Sequence, residues 1–347
     1  MAYITFQPSD YFNTKLYTGT GSSNAQTGVG FQPDWVWLKN RSSSANHFLV
    51  DAVRGITKEL RSNSTNGEAT DDQLITAFGT DGFTLGTSGS GNTNGDNYVA
   101  WNWKAGTTSG IATNGTTTIT PSAYSFNQTS GVSIVKYTGN GVNGAALAHG
   151  LGAEPEIIIA RSTNLNGEPW QVYSKKLGND KRLFLNLTNA ETSATEWYST
   201  TPDSVNIRLG NGTHINSNTN TFIAYCFAGK KGFSKFGFYE GNGNNSGPFQ
   251  YTGFKPAWIL IKAKGQSESW YILDTKRPGY NSNNYYLTAN NNSAEGTSTS
   301  LAMDILSNGF RLNNTDTSMN SSGQGYIYMA FAEHPLVSSN GDPATAR

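Results

Sequence analysis

The sequence predicts an all-β protein built of tandem β-sandwich modules, jelly-roll or concanavalin-like, in three repeats. Three observations carry this expectation. Only 14% of the 347 residues are charged, and 39 Gly with abundant Ser, Thr and Asn fill the gap. Charged residues are usually about a quarter of a chain, and the residues that replace them here favour turns and short strands. A single device then occurs three times: a proline, one residue, and a strand of large apolar side chains that closes on Lys or Arg. It reads F-Q-P-D-W-V-W-L-K at 31–39, G-L-G-A-E-P-E-I-I-I-A-R at 150–161 and F-K-P-A-W-I-L-I-K at 254–262. Finally, turn signals separate short apolar runs throughout, and no segment carries a helical period; residues 57–61 would be one turn at most.

Residues 1–15 read as an N-terminal arm or edge strand. The first unit, 16–106, opens with L-Y-T-G (16–19) and continues through its proline strand (35–39). H-F-L-V-D-A-V (47–53), a turn at Arg54-Gly55, a polar strand (59–63) and a loop holding Glu68 follow. F-T-L-G (83–86) leads to the closing segment N-Y-V-A-W-N-W-K (97–104), apolar on both faces and therefore central and buried. Residues 107–131, rich in Thr and Gly, read as a linker or β-extension. The second unit, 132–230, repeats the order: K-Y-T-G-N-G (136–141), the proline strand, W-Q-V-Y-S (170–174), L-F-L-N-L (183–187), Glu191, V-N-I-R-L-G (205–210) and T-F-I-A-Y-C-F-A-G (221–229). The third, 231–334, runs from F-Y-E-G-N-G (238–243) through W-Y-I-L-D-T-K-R (270–277), a polar strand (285–288), Glu295 and G-F-R-L (309–312) to G-Y-I-Y-M-A-F-A (325–332). Residues 335–347 form a polar tail. Each unit thus holds about six or seven short strands, the spacing of a sandwich.

The local chemistry agrees with this order. Proline marks where a strand begins, because it cannot donate within a central ladder. The glycines after Tyr in Y-T-G-x-G suit turns with positive φ. Eight Trp, 17 Tyr and 17 Phe supply core mass that a disordered chain lacks.

Several function classes lose support. Lys plus Arg equals Asp plus Glu, 24 each, with no basic run, so the footprint of a nucleic-acid binder is missing. No run of 18 apolar residues predicts a membrane-spanning helix, and the first residues lack the pattern of a secretory signal. The single Cys226 rules out an intrachain disulfide or multi-cysteine zinc site, and its apolar strand marks it as a buried thiol. His47, His149, His214 and His334 are scattered, so no metal site is expected. There is no nucleophile elbow, phosphate loop or calcium loop. The chain is expected to need no cofactor.

Two sets of polar residues recur. Asp51 and Asp274 each precede an arginine by three, Arg54 and Arg277, whereas the second unit has Ser174. Recurrence with the fold favours an ion pair or turn cap over a catalytic carboxylate. Glu68, Glu191 and Glu295 recur in loops, where bonding to backbone amides or pairing with arginine outweighs glycosidase chemistry; nothing in the spacing brings Glu68 to Asp51. No catalytic residue is assigned. Aromatics in polar stretches are the candidate binding residues: Trp197, Tyr198, Tyr280, Tyr285 and Tyr286. Aromatic faces stack on sugar rings and the neighbouring Asn amides bond hydroxyls; the alternative is packing against a neighbouring unit or subunit.

F-Q-P-D-W-V-W-L-K, D-A-V-R-G, G-F-T-L-G and Y-V-A-W-N-W-K-A-G together resemble repeats of tailed-bacteriophage structural proteins, especially those of marine phages. P-A-W-I-L-I-K with W-Y-I-L-D-T-K-R-P-G-Y-N is similar to the other common form of that unit, and S-S-N-G-D-P-A-T-A-R to the usual C-terminus. The second unit departs most, lacking Trp in its proline strand. The resemblance covers most of the chain outside about 105–131. It implies a non-enzymatic virion protein, made in the host cytoplasm, of a tail fibre or host-adhesion appendage. Its partners would be other virion proteins, further copies of itself (often a trimer) and a host cell-surface glycan, with no nucleic acid and no membrane insertion. A capsid-decorating or cement protein of the phage head is the alternative; a glycan depolymerase is the second alternative.

Overall fold

A computed structural model describes residues 6–335; residues 1–5 of the expected arm and 336–347 of the expected tail lie outside the described residues. The chain is nearly all β, and three large antiparallel sheets share one strand order. In the first, Phe12–Thr18 pairs with Asn97–Trp103, then Trp35–Asn40, His47–Asp51, Lys58–Arg61 and Ala69–Thr70 follow. The third repeats this with Ser234–Glu240, Gly325–Pro335, Phe254–Ala263, Tyr271–Asp274, Tyr285–Thr288 and Gly296–Thr297. The second runs Val132–Thr138, Thr221–Phe227, Ile157–Ser162, Gln171–Ser174, Lys181–Phe184 and Thr192–Ser193, and adds Ala123–Asn127 at its edge. That added strand lies in the segment expected to be a linker or β-extension, where Ile119 and Phe126 are buried.

A smaller sheet covers one face of each large sheet: Asn24–Gln26, Gly82–Leu85 and Ala77–Gly79 in the first unit, Ala145–Ala148 and Asn206–Leu209 in the second, Phe249–Tyr251, Gly309–Leu312 and Met303–Leu306 in the third. The proline strands show why both faces are apolar. Side chains alternate with period two. Val36 and Leu38 face a local core with Phe83 and Leu85, whereas Trp35 and Trp37 face inward. Ile158 and Ala160 against Ile157 and Ile159, and Ile259 and Ile261 against Trp258 and Leu260, divide the same way.

The three inward faces meet in one core. Trp35 stacks on Trp103 at 4.3 Å and on Tyr225 of the second unit at 4.5 Å, and Trp258 of the third meets Trp103 edge-on at 5.5 Å. Each large side chain so buried contributes about 1.5–3 kcal/mol. The units are therefore sandwiches outside and a single shared core inside. Residues 58–61, within the stretch allowed one helical turn, are a strand; one-turn helices stand instead at Gly89–Asn92, Thr213–Asn216 and Thr317–Asn320.

Backbone bonds close the ring of units. The Glu68 N–H donates to the Thr163 carbonyl at 2.6 Å, Glu191 to Lys264 at 2.6 Å, and Glu295 to Arg41 at 3.0 Å, linking the first unit to the second, the second to the third and the third to the first. The cations that end the proline strands run the opposite way round. Arg161 donates to the Ser64 carbonyl at 2.8 Å, Lys262 to Thr188 at 3.0 Å and Lys39 to Asn292 at 3.4 Å. All three side chains are buried. Burial pulls the Lys39 and Lys262 ammonium groups down to about 8 and Arg161 to about 10.

Candidate functional site

Asp51 and Asp274 end their strands wholly buried. One carboxylate oxygen of Asp51 accepts the Arg54 backbone N–H at 2.8 Å and the other the Arg54 Nε at 2.6 Å; Asp274 and Arg277 repeat this at 3.0 and 2.6 Å. Each guanidinium also donates to its own strand, to the Leu49 carbonyl at 2.7 Å or Ile272 at 2.8 Å, and to a loop glutamate. Arg54 lies 3.3 Å from Glu68 and Arg277 3.0 Å from Glu295. So Glu68 and Asp51 do converge, through Arg54, a convergence the spacing does not disclose. The neighbouring unit completes each cluster: Tyr225 Oη donates to Asp51 at 2.7 Å and Trp101 Nε1 to Asp274 at 3.1 Å. These carboxylates are committed to arginine and to the seams between units.

The third seam lacks the cluster in a consistent way. Trp101 pairs with Trp37, Tyr225 with Ile159 and Met329 with Leu260, so Met329 holds the register position of the two polar-tipped rings. At the matching strand end of the second unit, Ser174 stands where the aspartate does and Leu177, three residues on, where the arginine does. Met329 belongs to the shared core and Leu177 packs against it. Charge and polar tip are present together or absent together, as burial of charge requires.

The aromatic candidates separate. Trp197 is 1% exposed and meets the Tyr173 ring edge-on at 5.6 Å in the core of its own unit. It is therefore no surface stacking ring: the loop around it is polar, but the indole fills the space beneath the small sheet. Its neighbour Tyr198 is 43% exposed, with φ of 51°. Tyr280 is 63% exposed. Tyr285 and Tyr286 lie half-buried on strand Tyr285–Thr288, where Tyr286 packs on Tyr271 at 5.6 Å. Tyr280 and Tyr285 share a side-chain hydrogen bond, but the structure does not gather the five into one site.

A different cleft, of about 830 Å³, opens where the second and third units meet. Lys176, Lys230, Lys231, Lys235 and Lys264 line it, against one acid, Glu156. In a chain with equal numbers of acids and bases, five lysines to one glutamate is a local excess of positive charge. Lys235 Nζ donates to the Tyr251 carbonyl at 2.9 Å and lies 5.5 Å from the Tyr251 ring. Lys264 Nζ lies 5.9 Å from the Phe238 ring and 3.4 Å from Glu191. Burial lowers the Lys230 pKa. Phe238, Tyr251 and the adjacent Phe249 are exposed. Such a surface combines fixed ammonium groups with accessible ring faces, which suits an anionic ligand with apolar faces.

The fold and this site define a chain that matches one family along nearly its whole length. It belongs to the DUF7483 family, a domain of unknown function, matched over residues 7–335. No curated protein and no solved structure matches the chain. Among the described residues of this DUF7483 chain, no group of three or more His, Cys, Asp or Glu is placed to hold a metal ion.

Two features carry little signal in the sequence. Asn92, Asn216 and Asn320 end the three one-turn helices and are buried. Their amides bind the opening turn: Oδ1 accepts the N–H of Thr20, Asn140 or Asn242 at 2.8–3.0 Å, and Nδ2 donates to the carbonyls of Gly86, Gly210 or Asn314. Counting back six residues from Tyr98, Phe222 and Tyr326 would have found them. The cleft lysines come from three separate places in the chain, 176, 230–235 and 264, and only the pairs 175–176 and 230–231 hint at them.

Proposed function

We propose that the protein is a non-enzymatic structural component of a tailed-bacteriophage virion, carried on a tail fibre or other host-adhesion appendage. The observation that carries the binding role is the lysine and aromatic cleft. It is a concentration of one charge and of exposed rings on a chain whose units otherwise use their polar residues to hold themselves together. The phage setting is supported by the resemblance of the proline strands and closing strands. A depolymerase would need two carboxylates free to meet a sugar, whereas the recurring Asp and Glu side chains are tied to Arg54, Arg277, Arg41 and Lys264.

Labelling the chain on intact particles with a specific antibody, followed by electron microscopy, tests this. Label on the tail or its fibres is the expected result. Label spread over the capsid would replace adhesion by head decoration, and new reducing ends released from host polysaccharide would replace both by an enzyme.

A further inference from the structure

We propose that the cleft between the second and third units binds an acidic saccharide, one bearing carboxylate groups. This rests on the host-adhesion role and names its ligand class. The argument starts from Lys235. Its ammonium group has three donors; the Tyr251 carbonyl takes one at 2.9 Å and so holds the charge beside the Tyr251 ring, which is 51% exposed. Lys264 and Phe238 form a second such pair, with Phe238 40% exposed. An ammonium beside an open ring face matches a sugar acid, whose C–H face packs on an aromatic while its carboxylate takes charge-assisted hydrogen bonds. Lys176, Lys230 and Lys231 extend the positive surface along the same cleft, and Glu156 is partly used, accepting the Gly229 N–H at 3.0 Å. A neutral sugar would gain nothing from the charge of Lys235. A nucleic acid would need a longer basic track than this single cleft.

The test uses the full chain and three probes of similar length: oligogalacturonate, neutral malto-oligosaccharide and single-stranded DNA, followed by calorimetry at low and physiological salt. Oligogalacturonate should bind best and weaken with salt. Lys235→Gln and Tyr251→Ala should each lower its affinity about tenfold without shifting the unfolding midpoint, since both residues are at the surface. Equal binding of the neutral probe, or no binding of oligogalacturonate, overturns the proposal. DNA binding as tight as oligogalacturonate, or a Tyr251→Ala chain that binds normally, reduces the cleft to general attraction for polyanions and also overturns it. A chain found on fibres that fails this test would retain adhesion and lose only the ligand class; a chain found on the capsid would end adhesion whatever it binds.

Discussion

At two of the seams between units the strand end carries a buried ion pair, and at the third, where the Lys264–Glu191 pair stands elsewhere on the seam, the same strand end is uncharged; the contrast shows how one architecture tolerates either. Where Asp51 meets Tyr225 and Asp274 meets Trp101, a buried carboxylate is answered by an arginine, a glutamate and a ring with a donor at its tip. Where Ser174, Leu177 and Met329 stand, the same space is filled with uncharged groups. The buried pair is thus a matched set whose members lose their meaning singly. A buried pair can be about neutral in stability against apolar replacements, whereas half of one is costly.

That contrast predicts the largest effect. Asp274→Ala, which strands Arg277 in the interior, should cost about 3–5 kcal/mol in urea unfolding, while Ser174→Ala at the matching position should cost less than about 1 kcal/mol. Similar losses at both positions would break the distinction between the seams.

Next come features common to all units. Asn92→Ala, Asn216→Ala and Asn320→Ala each leave buried backbone groups unpaired, and each should cost about 1–3 kcal/mol. Near-equal values would sharpen the view that the units differ only at their seams; a harmless replacement in any one would remove its clamp from the account.

A last effect is on pH dependence. Burial holds Lys39 and Lys262 at about 8 in the folded chain, below the ordinary 10.5. Below about pH 8 both are charged in folded and unfolded chains, and the folded state bears the desolvation cost. Between about 8 and 10.5 the folded chain releases protons that the unfolded chain keeps, so stability rises with pH. Each lysine adds up to about 1.4 kcal/mol per pH unit in that window. Urea midpoints at pH 7.5 and 9.5 should therefore increase, and Lys39→Met should flatten the rise. The seam held by Arg161, whose pKa is about 10, should contribute little below that value.

How much of this was legible in the chain depends on range. Strand identity came from local pattern: residues 97–104, apolar on both faces, read as a central buried strand, and Asn97–Trp103 is one. That Trp35 and Trp258 fill the same core was not visible, because alternation tells which side a residue faces and not what lies there. The glycines of Y-T-G-x-G divide in two. Gly21, Gly141 and Gly243 do have positive φ, between 64° and 68°, but the preceding Gly19 is needed for room: a Cβ there would lie 2.1 Å from the Thr93 carbonyl oxygen. Trp197 is misleading in sequence because its loop is polar while its ring is buried. The cleft lysines come from three segments spread between Lys176 and Lys264, and composition averages them against acids elsewhere.

The most direct measurement transplants the apolar seam onto an ionic one. A chain with Asp51→Ser, Arg54→Leu and Tyr225→Met carries, at those three positions of the first seam, the residues of the third. Compared with Asp51→Ala alone by urea unfolding, the triple variant should recover more than half of the lost stability and unfold in one cooperative transition, as a single shared core demands. A triple variant at least as unstable as Asp51→Ala, or one that unfolds in separate steps, would contradict the account.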